Sequence, residues 1–260
     1  MSSAWRHREL LLELVKREFS GRYRGSFGGL AWSFAQPLFL LAVYTVAFGV
    51  ILRMRWGFAG GTGDYALMVF AGLIVFNAFA ECLNAAPTLV TANPNYVKKV
   101  VFPLELLPVV TAVTATAHAL LGIAVWFVGY AILYGAPKPT AALFPVLLAC
   151  LFPLLLGVGW LLSALGVVVR DIGQLAALFS HALLFLTPIF YGIDAVPPLL
   201  QNVLLANPLT FVVEQLRLVL FNGMVPSLRG VAAYFGLACF FAASMLWVFR
   251  RMRPRFAEMV

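Results

Sequence analysis

Apolar residues run along this chain in long, nearly unbroken stretches, parted by short turns marked by proline, glycine or charge. Six stretches, about 30–52, 65–89, 104–134, 141–169, 175–191 and 231–249, stand out in this way. About 20 apolar residues suffice for a helix to cross roughly 30 Å of hydrocarbon, so the pattern predicts six membrane-spanning helices. Before the first of them, residues 5–24 alternate charge with a leucine-rich stripe: Leu11, Val15 and Phe19 recur at i, i+4 and i+8. Glu13 and Arg17 are expected to pair on another face, and the whole reads as an amphipathic helix lying in the membrane interface. Between the fifth and sixth spans the pattern breaks. Pro197, Pro198, Pro208 and Pro226 punctuate two apolar pieces, 199–205 and 209–221, too short to cross and suited to re-entrant or interfacial helices. Glu214 and Arg217 are spaced i, i+3 on the longer piece.

Composition agrees. The 260 residues are 63% hydrophobic and only 11% charged, against about 25% charged in soluble domains. The fold class expected is an all-α integral membrane protein forming one permease-like domain, 1–260. Residues 1–25 would be the interface helix and 26–260 the six-span bundle. The net charge of +8 does not point to nucleic acid, because the basic residues cluster beside apolar spans. With both termini on the inner side, 13 of the 18 Lys and Arg fall inside and 5 outside, as the positive-inside rule asks of a cytoplasmic face.

The most informative inner turn is Asn93-Pro94-Asn95-Tyr96-Val97-Lys98-Lys99-Val100-Val101-Phe102-Pro103-Leu104-Glu105. Two adjacent lysines cannot lie in hydrocarbon, where each costs about 2.5–3.5 kcal/mol, so this turn sits in water. Asn93-Pro94-Asn95 stops one span, Pro103 opens the next, and Glu105 sets negative charge at the positive helix end. The turn is either a plain topogenic loop or a docking element for a soluble partner.

Candidate chemistry is sparse. No stretch fits a P-loop, an HExxH metal motif or a GxSxG elbow, so an enzyme and a self-powered nucleotide-driven pump are both disfavoured, and no metal or cofactor site is expected. Cys82, Cys150 and Cys239 all lie in apolar runs without CxxC spacing and read as inert thiols. His118 and His181 stand singly in spans and read as helix–helix contacts. Glu81 is the carboxylate well inside a span, on a stripe Asn77, Glu81, Asn84 at i, i+4, i+7. It is either a pathway group or a hydrogen-bonded packing residue. A proton-coupled transporter, in which Glu81 would titrate with transport, is one alternative; it would normally show more such groups and an inverted repeat.

Several motifs together resemble a known family. Arg17-Glu18-Phe19, Arg22-Tyr23-Arg24-Gly25-Ser26, Leu30-Ala31-Trp32 and Gln36-Pro37 are similar to the N-terminus of bacterial ABC polysaccharide-export permeases. The Tyr96–Pro108 stretch, Arg170-Asp171-Ile172, Thr187-Pro188-Ile189-Phe190-Tyr191 and Asn207-Pro208-Leu209-Thr210 resemble later signatures of that family in the same order. The resemblance implies a homodimeric channel subunit of the bacterial inner membrane, multi-pass with both termini cytoplasmic, paired with two copies of a separate ABC ATPase. That ATPase would bind ATP and Mg, and the cargo would be a polyprenyl-linked polysaccharide such as O-antigen, teichoic acid or capsule. It further implies ATPase coupling through Tyr96, Val97, Lys98, Lys99, Val100, Phe102, Arg170 and Asp171. Arg17, Arg22 and Arg24 would meet lipid phosphate, and Trp32, Tyr44, Phe190 and Tyr191 would line the channel. A drug or small-lipid export permease of the same general fold is the nearest alternative function.

Overall fold

The computed structural model describes residues 8–23, 31–51, 62–97 and 102–259, and these are helical nearly throughout. The order is α1 (Arg8–Tyr23), α2 (Trp32–Tyr44) running on as a π-helix Thr45–Ile51, α3 (Thr62–Ala85) and the short α4 (Pro94–Val97). Then come α5 (Leu106–Tyr134), α6 (Phe144–Val168), α7 (Ile172–Leu186), α8 (Pro198–Ala206), α9 (Pro208–Arg217), α10 (Leu228–Met252) and α11 (Phe256–Met259). No strand occurs among the described residues.

Four helical stretches are long and apolar enough to cross a membrane: Tyr65–Thr88, Leu106–Tyr134, Pro139–Val168 and Leu228–Arg255. The pair Pro198–Ala206 and Pro208–Asn222 bends by 99° at Asn207, the geometry of a broken or re-entrant segment, and would make a fifth if taken together. Of the helices expected as first and fifth spans, the fifth is short, Ile172–Leu186, and the described apolar part of the first is Phe34–Ala47. At 1.5 Å per residue, α7 reaches only about 22 Å.

Burial explains how these helices are arranged. α3 is apolar over most of its circumference, and 83% of its span is buried, which makes it the central post. α5, α6, α7 and α9 pack around it. α10 is the opposite case, with 11% of its span buried. It presents Leu237, Phe240 and Trp247 outward and holds to the bundle almost entirely through α6. Close approach of α6 depends on small residues: Gly157 faces Phe241 of α10, and Gly166 faces the Pro87 carbonyl beyond the end of α3.

Two apolar cores result. The larger joins α3, α5, α6 and α9 around Trp126, whose indole N–H donates to the Leu67 carbonyl (3.0 Å). The smaller gathers Val90, Leu104, Leu107, Trp160, Val167, Phe249 and Phe256 at the end that carries α4, the tail of α6 and the arginines of α10. This is the basic end. The opposite end is closed by α9: the Arg217 guanidinium donates to the carbonyls of Pro188, Ile189 and Tyr191 and pairs with Glu214 at 2.5 Å, as the i, i+3 spacing predicts. Those carbonyls belong to the turn that follows α7, so one buried cation satisfies several backbone acceptors outside regular helix.

Candidate functional site

At the basic end, three parts of the chain distant in sequence converge on the turn between α3 and α5. The stop signal works as its residues predict: the Asn93 side-chain amide donates to the Leu89 carbonyl (2.9 Å), and Asn93 in turn accepts from the Tyr96 amide (3.0 Å). Pro94 then begins the single turn of α4. Tyr96 lies flat on Phe102, with ring centroids 4.2 Å apart and planes 8° from parallel. That stack closes the turn across its base. Val97 packs into the smaller core beside Tyr96 and Phe102. Lys98, Lys99 and Val100 lie outside the described residues.

Two sets of arginines grip this turn. Arg17 of α1 sits over the Tyr96 ring at 5.9 Å, a cation–π placement worth about 0.5–1 kcal/mol at an exposed site. The pair expected between Glu13 and Arg17 is therefore not made; Glu13 meets Lys16 instead at 3.4 Å, and the guanidinium is left for the aromatic face. From the other side, Arg253 donates to the Phe102 carbonyl (3.0 Å) and to the Glu105 carboxylate (3.3 Å), and Arg250 lies 3.5 Å from the same carboxylate. Glu105 is buried, at the position preceding α5, and its side chain makes no cap bond to the helix. Its charge is balanced by the two arginines more than by the helix end. The Trp160 indole N–H donates to its carbonyl (3.0 Å), which fixes the entry to α5 from α6.

The second turn of this end carries Arg170 and Asp171, both exposed between α6 and α7. It is held beside the first: Ser163 of α6 donates to the Ala86 carbonyl (3.0 Å), and Gly166 abuts Pro87. Arg170, Asp171, Tyr96, Val97 and Phe102 thus belong to one end of the bundle.

The three consecutive residues Arg17-Glu18-Phe19 tie α1 to both the turn and the bundle. Glu18 accepts from the Thr111 hydroxyl of α5 (3.3 Å), and Phe19 stacks on the His118 ring (centroids 5.0 Å, 24°). Leu14 is the buried centre of this face, with Leu11, Val15 and Phe19 half-buried around it. His118, one face and two turns on from Thr111, places Nδ1 3.0 and 3.2 Å from the Glu81 carboxylate oxygens. The expected polar stripe on α3 consequently splits three ways: Glu81 turns to α5, Asn84 donates to Ser180 of α7 (3.3 Å), and Asn77 stays exposed.

The aromatic candidates are dispersed. Trp32 is exposed at the start of α2, and Tyr44 packs half-buried on the main core. Phe190 accepts through its carbonyl from the Tyr65 hydroxyl (2.7 Å), and the Tyr191 hydroxyl donates to the Phe185 carbonyl (2.6 Å), both at the far end. The Arg22 side chain and Arg24 lie outside the described residues. Sequence reasoning missed the partners of Glu81 and Glu105. Two lone polar groups in neighbouring apolar spans, Glu81 and His118, are a legible pairing signal. Nothing local to Glu105 announces arginines some 145 residues away.

The sequence profile of the family described as ABC-2 type transporter matches residues 9–221. The chain belongs to that family. Among relatives of this ABC-2 chain, the O-antigen export system permease protein RfbA of Myxococcus xanthus is 25% identical over 98% of this chain and 97% of its own length. Two proteins of that same name from Klebsiella pneumoniae are 23% and 24% identical over 97% of this chain and 95% of theirs. As an ABC-2 member the chain is a membrane component of a transporter, in line with its apolar helices.

Proposed function

We propose that this chain is the channel-forming subunit of an ATP-driven exporter moving lipid-linked polysaccharide, of the O-antigen kind, out across the bacterial inner membrane. The observation that carries the reading is the alignment with O-antigen export permeases along almost the whole chain. In this proposal α2 and α7 count as the first and fifth spans. That gives six crossings with both termini in the cytoplasm, and two copies of the chain form the passage. ATP and Mg belong to two copies of a separate ABC ATPase.

The basic end is the docking face of that motor. A soluble engine can move a membrane channel only through a rigid contact, and the braced turn around Tyr96 and Phe102 supplies one, with Lys98, Lys99, Val100, Arg170 and Asp171 as its contact residues. Arg17-Glu18-Phe19 carries the displacement from the turn to α5, so α1 acts as a lever. Arg17, Arg22 and Arg24 hold the phosphate of the lipid anchor at the interface, and Trp32, Tyr44, Phe190 and Tyr191 give the glycan flat, low-friction contacts.

Two measurements test this. The solubilised chain is expected to copurify with an ABC ATPase encoded beside glycosyltransferases. Reversing charge with Lys98→Glu and Lys99→Glu should lower the ATPase stimulation given by the wild-type chain and stop glycan from reaching the cell surface. Export by the purified chain alone, driven by an ion gradient, would overturn the proposal.

A further inference from the structure

The pair Glu81–His118 lines a cavity of about 290 Å³ between α2, α3 and α5. It lies on the half of the bundle nearer the basic end; Asn77 is about 12 Å from the end of α3 at 1.5 Å per residue. Its polar wall is made by Gln36, Asn77, Glu81 and His118, and its apolar wall includes Phe70 and Pro37. The Glu81 and His118 side chains are 14% and 15% exposed, so the pair is held within the protein and still opens to the cavity. Gln36 and Asn77 are exposed, and neither makes a hydrogen bond among the described residues. An unpaired carboxamide at membrane depth costs free energy unless something polar meets it. Two of them at one opening, beside a carboxylate, form a convergent set of donors and acceptors.

Charge and size restrict what fits. The pair presents carboxylate oxygens and no excess of positive charge, which disfavours a phosphate. The carboxylate already has the imidazole as its partner, which weakens the attraction for a cation. An acyl chain would leave both carboxamides unmet. The volume is at the small end of the range for ligand pockets, about 300–1,000 Å³. Trp32 lies one helical turn before Gln36 on the same face of α2 and is 51% exposed, placing a flat aromatic surface near the mouth.

We propose that this cavity binds a single uncharged, hydroxyl-bearing ring of monosaccharide size. The carboxamides and the Glu81 carboxylate take its hydroxyls, and its C–H face lies on the apolar wall. The ring comes either from a glycan in water or from the headgroup of a membrane glycolipid, and the site rests on the export reading only in expecting the former.

Saturation-transfer NMR on the full-length chain in nanodiscs, with whatever subunits copurify, tests this with methyl α-glucopyranoside and methyl α-galactopyranoside as probes. Transfer to ring protons is expected, falling about fivefold in Asn77→Leu and in Gln36→Leu, the effect of roughly one lost hydrogen bond. Both positions are exposed, so these variants should keep the wild-type melting temperature. Competition by glucosyl diacylglycerol in the disc supports the site and assigns a membrane source; its absence supports the site and assigns the soluble glycan. No transfer, equal transfer in both variants, or equal transfer to sn-glycerol 3-phosphate would each overturn the proposal. Binding in a chain that does not export glycan would refute the cargo reading alone, and export without binding would refute the site alone.

Discussion

Gly166 shows how narrowly single positions are set at the basic end. A Cβ built there would lie 2.0 Å from the Pro87 carbonyl oxygen and 2.7 Å from its carbon, and both are backbone atoms that cannot swing aside. Gly166→Ala is therefore expected to cost about 3 kcal/mol, the upper part of the overpacking range, read as a lower melting temperature in detergent. Gly236→Ala is the matched control. Nothing lies within 4 Å of it, and alanine favours a helix by about 1 kcal/mol over glycine, so its melting point should hold or rise. Arg217 is as narrowly set at the opposite end. Replacing it by Met leaves the Pro188, Ile189 and Tyr191 carbonyls without their donor and a half-buried Glu214 without its partner, which should cost about 1–3 kcal/mol. Glu214→Gln keeps the carbonyl contacts and should be milder; equal melting points for the two variants would contradict this account.

At the scale of elements, α1 is the piece whose role depends on its neighbours. Alone it is a charged amphipathic helix, and its stripe was readable from the spacing of Leu11, Val15 and Phe19. Which bundle helix it grips, and that Arg17 leaves Glu13 for the Tyr96 ring, were not readable, because the side-chain partners come from residues about 80–100 positions away. If α1 is the lever proposed above, Phe19→Ala should reduce ATPase stimulation in the reconstituted complex while leaving its assembly intact. Leu12→Ala, at a position 58% exposed, should change neither. A Phe19→Ala complex with wild-type stimulation would remove α1 from the coupling path. The helix boundaries tell a similar story. Proline and asparagine marked the turns within a few residues, yet the helix of the fifth apolar run stops at Leu186, before the run itself ends.

For the molecule as a whole, the division of burial is the main constraint on assembly. α3 is enclosed, whereas α7 and α10 expose Leu178, Phe185, Leu237 and Phe240. In a bilayer such surfaces meet lipid or another helix, and lipid alone satisfies them. Exposure therefore does not pick out the face between copies, and the stoichiometry has to be measured. Native mass spectrometry of the solubilised exporter should give two copies of this chain with two of the ATPase. A particle with one of each that still exports glycan would contradict the paired-channel proposal.

The sequence by itself determined the class of protein, the succession of apolar helices, the broken segment near Pro208 and the turn that follows Asn93. These follow from local properties: run length against bilayer thickness, and proline's missing N–H. Tertiary structure alone decided which polar groups meet. Glu81 with His118, Glu105 with Arg250 and Arg253, and Arg17 with Tyr96 are each joined by the packing of helices remote in the chain. The same packing left a polar-walled cavity beside α2. Hydropathy records how long a residue stays in the membrane, but not which way round its helix it faces.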